Sequence, residues 1–398
     1  MKRILFLIST LNTGGAQRIF SNIITRLPED IEIDILLNDT EAIAYPYRGN
    51  IIDLDMPKEK NKEKISYQVR ALIRRFSILR KLKKENHYDA CISAMDSANI
   101  VNVLTGKKHC KTILTIHGFH PDGWINKKVE PVVDWLMRIC YCRASVVVPV
   151  SQGLADEMHK KYKIPKERIQ IIYNGYNVTD IRTDSKSEET PEIPWRGDYD
   201  IVITSGRIEK VKGQWHLIKA FSLVAKENPK ARLIILGDGI IKRELEQLVT
   251  YLGIEDKVFM PGFVMNPFAF FTKAKVFVLS SLTEGYPNAI AEAMICGLPC
   301  ISSDCIAGPR EMIGDICTER LISGYEITKY GVLTPAFDMD DLWTNHTIGL
   351  QEEIMADAIQ RLLTDKKCYQ ELLNHIPEKV ECFDMESIIS QWEEICLA

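Results

Sequence analysis

Short, almost unbroken apolar runs alternate with stretches of helical spacing along the whole chain, and this alternation narrows the possible folds more than any other feature. In the first half, strands are predicted at Arg3–Ser9, Ile31–Leu37, Ala90–Ala94, Thr112–Ile116, Ser145–Val150 and Ile169–Tyr173, with helices such as Ala16–Leu27 and Val129–Cys142 between them. In the second half, strands are predicted at Ile201–Ser205, Arg232–Leu236, Val258–Pro261, Val276–Leu279, Cys300–Ser302 and Gly331–Leu333, with helices at Gln214–Ala225 and Ile241–Leu252. Continuously apolar runs suit strands covered on both faces. Strand, helix and strand in repetition build right-handed crossovers and an open parallel sheet. The expected fold class is therefore α/β, with two Rossmann-like, doubly wound parallel-sheet domains. They are expected to face an interdomain cleft, because open parallel sheets bind ligands beyond the carboxyl ends of their strands.

The alternation lapses over residues 177–199, which are rich in charge, Ser, Thr and Pro. The expected boundaries are a first domain over 1–176, a linker over 177–199 and a second domain over 200–381. The last stretch, about 382–398, places Ile388, Ile389, Trp392 and Ile395 on one face of a helix, Met385–Cys396, that must dock on a domain.

Composition removes several classes of protein. A chain of 398 residues with 46% apolar and 26% charged residues has enough core for two domains and is neither disordered nor fibrous. No run of about 18 consecutive apolar residues, the length a membrane-spanning helix needs, occurs in the sequence. The opening apolar run, Ile4 to Ile8, is too short for a secretory signal and reads as a buried first strand. Eleven scattered cysteines without CxxC spacing point to reduced thiols in the cytoplasm rather than a disulfide frame or a zinc site.

Net charge is -4, but residues 1–170 carry a net +9 and the remainder a net -13. Eleven basic residues fall between Lys58 and Lys84, opposed only by Glu59 and Glu63. Ile65, Val69, Leu72, Ile73, Phe76, Leu79 and Leu82 recur there at helical spacing, which predicts an amphipathic basic helix over 58–84. Two readings stand: a core-facing helix with a solvated basic back, or a face that docks anionic lipid headgroups at the inner side of the cell membrane or a polyanionic lipid-linked acceptor. Nucleic acid is not an expected partner, since the chain is acidic overall and aromatics are not interleaved with the basic residues.

Four segments carry chemistry. In VFVLSSLTEGYPNAIAEAMICGLPCISSD, Glu284 and Glu292 flank a turn made of Gly285, Tyr286, Pro287, Asn288 and Ala289 that opens a helix. Amides at such a helix start point unpaired donors at an anion, aided by the helix dipole. Carboxylates beside a phosphate site suit the hydroxyls of a sugar and a ribose. In SGRIEKVKGQ, Gly206, Arg207 and Lys212 lie in a strand-to-helix loop where guanidinium and ammonium can clamp a diphosphate. In LNTGGAQR, Gly14 and Gly15 allow close backbone approach at a helix start. Neither this loop nor Gly237–Gly239 has the GxGxxG dinucleotide fingerprint. In TIHGFHPD, His117 ends an apolar strand, placed to hydrogen-bond or deprotonate a hydroxyl. His117, His120 and Asp122 alone make a poor metal set, and no metal site is expected.

Taken together, these segments resemble the retaining, nucleotide-sugar-dependent glycosyltransferases of family 4, the group 1 glycosyltransferases of GT-B architecture, over almost the whole chain. The Glu-x7-Glu element EGYPNAIAE is the most specific part, and GGAQR, GRIEKVKG and YNGY at 173–176 follow the family's order. The resemblance implies that Glu292 binds the ribose and Glu284 the donor sugar. It implies that the turn after Gly285 holds the diphosphate beside Arg207 and Lys212. Gly15 would close over the phosphate, His117 would face the reacting sugar or acceptor, and Asn174 would shape the hinge side of the pocket. The final helix would cross back to the first domain. Gln17 stands where many relatives carry Glu and receives no role.

The implied reaction moves a hexose or N-acetylhexosamine from a nucleotide sugar, expected to be a UDP-sugar, to a glycan or lipid-linked oligosaccharide acceptor in cell-surface polysaccharide or lipopolysaccharide synthesis. No cofactor or metal is expected. Cations and amides would stabilise the leaving diphosphate where charge develops, the most effective place for them. The alternatives on the same scaffold are a nucleotide-sugar epimerase, a phosphorylase, or an inactive nucleotide-sugar-binding protein.

Overall fold

The computed structural model describes residues 2–12, 14–40, 43–54, 65–106, 108, 110–118, 130–187, 193–314, 323–339 and 342–397. The chain forms two compact units. Unit 1 is Met1–Tyr176 with Asp384–Ala398, and unit 2 is Asn177–Phe383.

Unit 1 is built on a six-stranded sheet of β1 (Lys2–Leu7), β2 (Ile31–Leu37), β3 (Asn50–Asp53), β4 (Ala90–Ala94), β5 (Lys111–Ile116) and β6 (Val146–Pro149). The spatial order is β3-β2-β1-β4-β5-β6, and every pairing is parallel. Its helices are α1 (Gly15–Arg26), α2 (Ile65–Glu85), α3 (Asp96–Leu104), α4 (Glu130–Tyr141) and α5 (Gln152–Lys160). The central strands are apolar on both faces because helices cover both. Ile4, Leu5, Phe6 and Leu7 of β1 are fully buried, each contributing about 1.5–3 kcal/mol on burial.

Unit 2 begins with α6 (Val178–Asp184) and carries β7 (Asp200–Ser205), β8 (Ala231–Leu236), β9 (Val258–Gly262), β10 (Val276–Leu279), β11 (Cys300–Ser303), β12 (Glu326–Ile327) and β13 (Val332–Thr334). The order β12-β13-β11-β10-β7-β8-β9 is parallel except for the antiparallel β12–β13 edge. Its further helices are α7 (Gln214–Glu227), α8 (Lys242–Tyr251), α9 (Phe268–Phe271), α10 (Asn288–Ile295), α11 (Pro309–Ile313), α12 (Leu350–Thr364) and α13 (Lys366–Glu381). The chain then returns to unit 1 with α14 (Met385–Leu397).

The return has a clear seat. The Met385 amide donates to the Tyr176 carbonyl, and a side chain on Gly175 would meet Met385 Sδ at 2.4 Å and Ile388 Cβ at 3.1 Å. Gly175 is thus the space into which α14 packs, while α14 also lies against α1.

Several expectations are corrected. Ile169–Tyr173 is not a strand: it follows the β6 edge through two hydrogen bonds and one isolated bridge, too sparse a ladder to continue the sheet. The short edge strands β3 and β12 had no apolar run long enough to announce them. The 177–199 stretch is not simply a linker. It contains α6, and Trp195 further along it donates from its indole N–H to the Asp256 carbonyl, so it belongs to the body of unit 2.

The basic helix needs a sharper correction. Over the described residues α2 starts at Ile65, and the expected 58–64 portion lies outside them. Two of its cations are structural. Lys83 is fully buried, donating to the backbone carbonyl and Oδ1 of Asn102, each at 2.7 Å. Arg75 is 3% exposed and donates to Asn38, Ser97 and Ser9. Burial pulls its guanidinium down to about 10, which still leaves it charged at neutral pH. Arg70, Arg80, Lys81 and Lys84 face solvent, as do Val69, Leu72 and Ile73.

Candidate functional site

In unit 2 the strand order reverses between β7 and β10, which are parallel neighbours with Val276 beside Val202. Ligands of open α/β sheets bind at the carboxyl ends of the strands at such a switch point. The loop after β7 carries Gly206, Arg207 and Lys212, and the loop after β10 carries Glu284 to Pro287. The topology therefore sets the two most informative motifs of this half side by side.

Side-chain and backbone contacts lock the two loops together. Lys212 Nζ lies 2.6 Å from Glu284 Oε1, and Ser281 Oγ donates to the same oxygen at 2.6 Å. The Leu282 amide donates to the Val211 carbonyl, and Ser280 Oγ donates to the Lys212 carbonyl. Gly213 makes the junction possible. Its φ is +57° and a Cβ there would lie 2.3 Å from the Ser280 carbonyl oxygen. Lys212 runs past Gly206, its Cε 3.9 Å from where a Gly206 side chain would begin. Glu284 Oε1 is thus occupied by two donors, while Oε2 makes no hydrogen bond among the described residues. Arg207 reaches outward, 68% exposed and paired with Glu209 at 2.9 Å, and its carbonyl is held by Gln214. The structure joins Lys212 to Glu284 and leaves Arg207 reaching into solvent.

The turn between the glutamates is buried at Gly285, Tyr286 and Pro287 and opens at Asn288 and Ala289, the first residues of α10. Pro287 caps the helix without a side-chain hydrogen bond, and its carbonyl receives the Ile290 amide. The Ala289 amide, second in α10, comes too early to find an acceptor within the helix itself. Glu292, 6% exposed, lies one turn further along. Burial, with the Glu292 charge second, pushes the Cys296 thiol up to about 12, so this cysteine stays protonated.

In unit 1 the switch point falls between β1 and β4. The loop after β1 leads through Gly14, φ +152°, into α1 at Gly15, and the Gly14 amide donates to the Tyr45 hydroxyl. His117 follows β5 directly, half-buried, its Nε2 2.9 Å from Thr115 Oγ1 and its ring edge-on to Phe20 at 6.1 Å. Desolvation lowers its pKa to about 4, so the imidazole is neutral at pH 7. His120 and Asp122 lie outside the described residues, among which no group of three or more potential ligands is placed to hold a metal ion. Asn174 is 4% exposed, beside the Gly175 seat for α14.

Two family models match the chain, one in each half. The family described as "Glycosyl transferases group 1" matches residues 185–330, and "Glycosyltransferase Family 4" matches 13–180. An uncharacterized glycosyltransferase of Methanocaldococcus jannaschii is 30% identical over 353 residues, covering 84% of this chain and 85% of that protein. The chain belongs to the group 1 glycosyltransferases.

A further relative of this glycosyltransferase is the N-acetylgalactosamine-N,N'-diacetylbacillosaminyl-diphospho-undecaprenol 4-alpha-N-acetylgalactosaminyltransferase of Campylobacter jejuni, 23% identical over 98% of this chain and 97% of its own length. Among solved structures, Anabaena HepE in complex with UDP and glucose matches with a TM-score of 0.72 at 18% identity, covering 99% of both chains. Sucrose-phosphate synthase from Thermosynechococcus elongatus matches with a TM-score of 0.74 at 18% identity, covering 99% of this chain and 98% of that one. These likenesses establish the GT-B fold.

Some residues that shape the glycosyltransferase's candidate site gave little local signal in the sequence. Gly308 has φ +70°, and a Cβ there would come within 2.7 Å of the Gly285 carbonyl oxygen and 2.8 Å of Pro287 Cδ. The loop after β11 therefore backs the turn between the glutamates. Arg310 pins that loop, binding both carboxylate oxygens of Asp304 and reaching Glu326 at 3.1 Å. Only the Gly-Pro pair at 308–309 hinted at this turn.

Proposed function

We propose that this glycosyltransferase moves an N-acetylhexosamine or hexose from a UDP-sugar, with retention and without a metal, to a glycan or lipid-linked acceptor in surface-polysaccharide synthesis. The observation that carries the reading is the Lys212–Glu284 junction at the unit 2 switch point, where a cation and a carboxylate meet in the loop that leads into α10. Lys212 and Arg207 neutralise the leaving diphosphate, helped by the first amides of α10, because fixed positive groups act best where negative charge develops. Glu284 Oε2 accepts a sugar hydroxyl, Glu292 accepts the ribose hydroxyls, and neutral His117 hydrogen-bonds a reacting hydroxyl. The acceptor attacks on the face the diphosphate leaves from, and a phosphate oxygen takes its proton.

The UDP donor is supported by the UDP bound to the similarly folded HepE, and the lipid-linked acceptor by the diphospho-undecaprenol in the Campylobacter relative's name. Among the described residues no helix is long and apolar enough to cross a membrane. We place the enzyme at the cytoplasmic face of the membrane, held peripherally through the exposed Val69, Leu72 and Ile73 and the solvent-facing cations of α2.

A thermal-shift screen of UDP-, GDP- and ADP-sugars, followed by transfer to a polyprenyl-diphosphate-linked glycan, tests the reading. A UDP-sugar should raise the melting temperature, because a ligand that binds only the native state stabilises it. The product should keep the donor's anomeric configuration by NMR. Donor isomerisation without acceptor, or binding without turnover, would overturn it.

A further inference from the structure

The environment of His117 fixes more than its position. Thr115 stands two residues earlier, one before the end of β5, and its hydroxyl has two polar neighbours: the Ser93 carbonyl at 2.9 Å and His117 Nε2 at 2.9 Å. A hydroxyl has one proton, and a carbonyl oxygen can only accept. If the Thr115 proton pointed at His117, the Oγ1 lone pairs would face the Ser93 carbonyl lone pairs at hydrogen-bond distance, which is repulsive. The arrangement without repulsion has Thr115 donating to Ser93 and His117 donating from Nε2 to Thr115.

The frame around this chain of contacts is rigid. β4 and β5 are paired in parallel, with Ala94 beside Thr115. Asn99 Nδ2 donates to the Thr115 carbonyl at 3.1 Å, Ser93 Oγ donates to Asn99 Oδ1 at 2.7 Å, and Asn102 Nδ2 donates to Ser93 Oγ at 2.9 Å. Thr115, Ser93, Asn99 and Asn102 are all 0–1% exposed. A buried network with its donors and acceptors matched resists rearrangement, since turning one hydroxyl would strand a partner in a low-dielectric interior. On its other side the His117 ring meets Phe20, which lies five residues after Gly15, about 7.5 Å of helix rise along α1. His117 is therefore tied both to the sheet and to the helix that opens at the glycine loop.

We propose that Thr115 is a positioning residue that holds His117 as the Nε2–H tautomer, so that Nδ1 is the ring atom offered to a substrate hydroxyl as hydrogen-bond acceptor. The second half of this statement rests on the sugar-transfer reading above, and the first does not. Among the described residues His117 Nδ1 makes no hydrogen bond, so its lone pair is available. The tautomer choice makes His117 an acceptor toward a sugar or acceptor O–H, and bars it from donating to that oxygen through Nδ1. The neutral state at pH 7 is consistent with that role.

The test uses the full chain labelled with 15N in histidine, with the His117 signals assigned by their loss in His117→Asn. Long-range 1H–15N spectra distinguish the two tautomers directly. The wild type should show Nε2 protonated and Nδ1 bare, Thr115→Ser should keep that pattern, and Thr115→Val should give a mixture. In transfer assays Thr115→Val should lower kcat/KM about 10-fold, comparable to the low end of what the hydrogen-bond partners of metal-ligating histidines contribute. Thr115→Ser should restore it, and Thr115→Val should have no further effect in the His117→Asn background. A wild-type protein with Nδ1 protonated overturns the proposal whatever the activity, as does an unchanged pattern in Thr115→Val. If Thr115→Val fails to fold, the wild-type and Thr115→Ser spectra still decide. If the tautomer is as stated but no nucleotide sugar binds, it is the functional reading that fails and the Thr115 assignment stands.

Discussion

Lys212 Nζ and Glu284 Oε1 lie 2.6 Å apart although 72 residues separate them in the chain. The pair is only partly shielded, Lys212 being 24% and Glu284 8% exposed at the side chain. Its value in the free protein is chiefly geometric. It holds an ammonium at the mouth of the β7 loop and leaves the second carboxylate oxygen of Glu284 able to accept a hydrogen bond.

Removing the cation should therefore damage turnover more than folding. Lys212→Ala and Arg207→Ala are each expected to lower kcat about 100-fold, as for lost donors to a developing charge. Steady-state transfer kinetics check this, with thermal melts as the control. Wild-type rates in either variant would remove the clamp from the mechanism.

Glu292→Ala should act on binding. Loss of its carboxylate should weaken UDP binding about 10-fold or more in calorimetry, since a hydrogen bond to a charged group is worth about 1.5–3 kcal/mol. The same variant should leave the affinity for inorganic diphosphate nearly unchanged.

Gly308→Ala should destabilise unit 2. It forces a side chain into positive φ and against the Gly285 carbonyl, at a cost of about 1–3 kcal/mol. Urea unfolding would show this as a lower midpoint, and the displaced turn should also weaken UDP binding.

Two lysines of α2, adjacent in sequence, should behave oppositely. Lys83→Ala strips Asn102 Oδ1 of its buried donor, leaves the Asn102 carbonyl with Thr105 Oγ1, and should cost about 3 kcal/mol by urea unfolding. Lys84→Ala, at an exposed position, should stay within about 0.5 kcal/mol of wild type. Replacing the exposed Arg70, Lys81 and Lys84 together by Ser should release the protein from anionic vesicles at low salt. Unchanged flotation with vesicles would leave α2 a purely structural element.

His117 gives a pH prediction with a definite sign. Its folded pKa, lowered to about 4 by desolvation, sits below the unfolded value of about 6.5. Between those values the unfolded chain binds the extra proton, so His117 takes stability away as pH falls from about 6.5 to about 4. The stability difference between pH 7 and pH 5 should be smaller in His117→Asn than in wild type, measured by urea midpoints at both pH values.

Much of the candidate site was legible because its parts are local. Glu-x7-Glu around a Gly-Tyr-Pro-Asn turn, the cations ahead of Gly213 and the histidine ending an apolar strand can each be read within about ten residues. What could not be read was pairing. The sequence does not say that Glu284 Oε1 is already taken by Lys212 and Ser281, that Gly308 backs the turn, or that Thr115 governs the proton on His117. The basic stripe of α2 misled for the same reason: helical spacing fixes which residues share a face, but burial of Lys83 depends on Asn102 of another helix.

By itself, then, the sequence determined the two parallel sheets, the order of their loops and the chemical kinds of side chain those loops present, because apolar period and turn chemistry act between near neighbours. The tertiary structure alone decided which of these groups touch, which cations are buried, and where Gly175 gives space to the returning α14. Those outcomes depend on close packing between segments far apart in the chain, where a few tenths of an ångström separate a hydrogen bond from a clash.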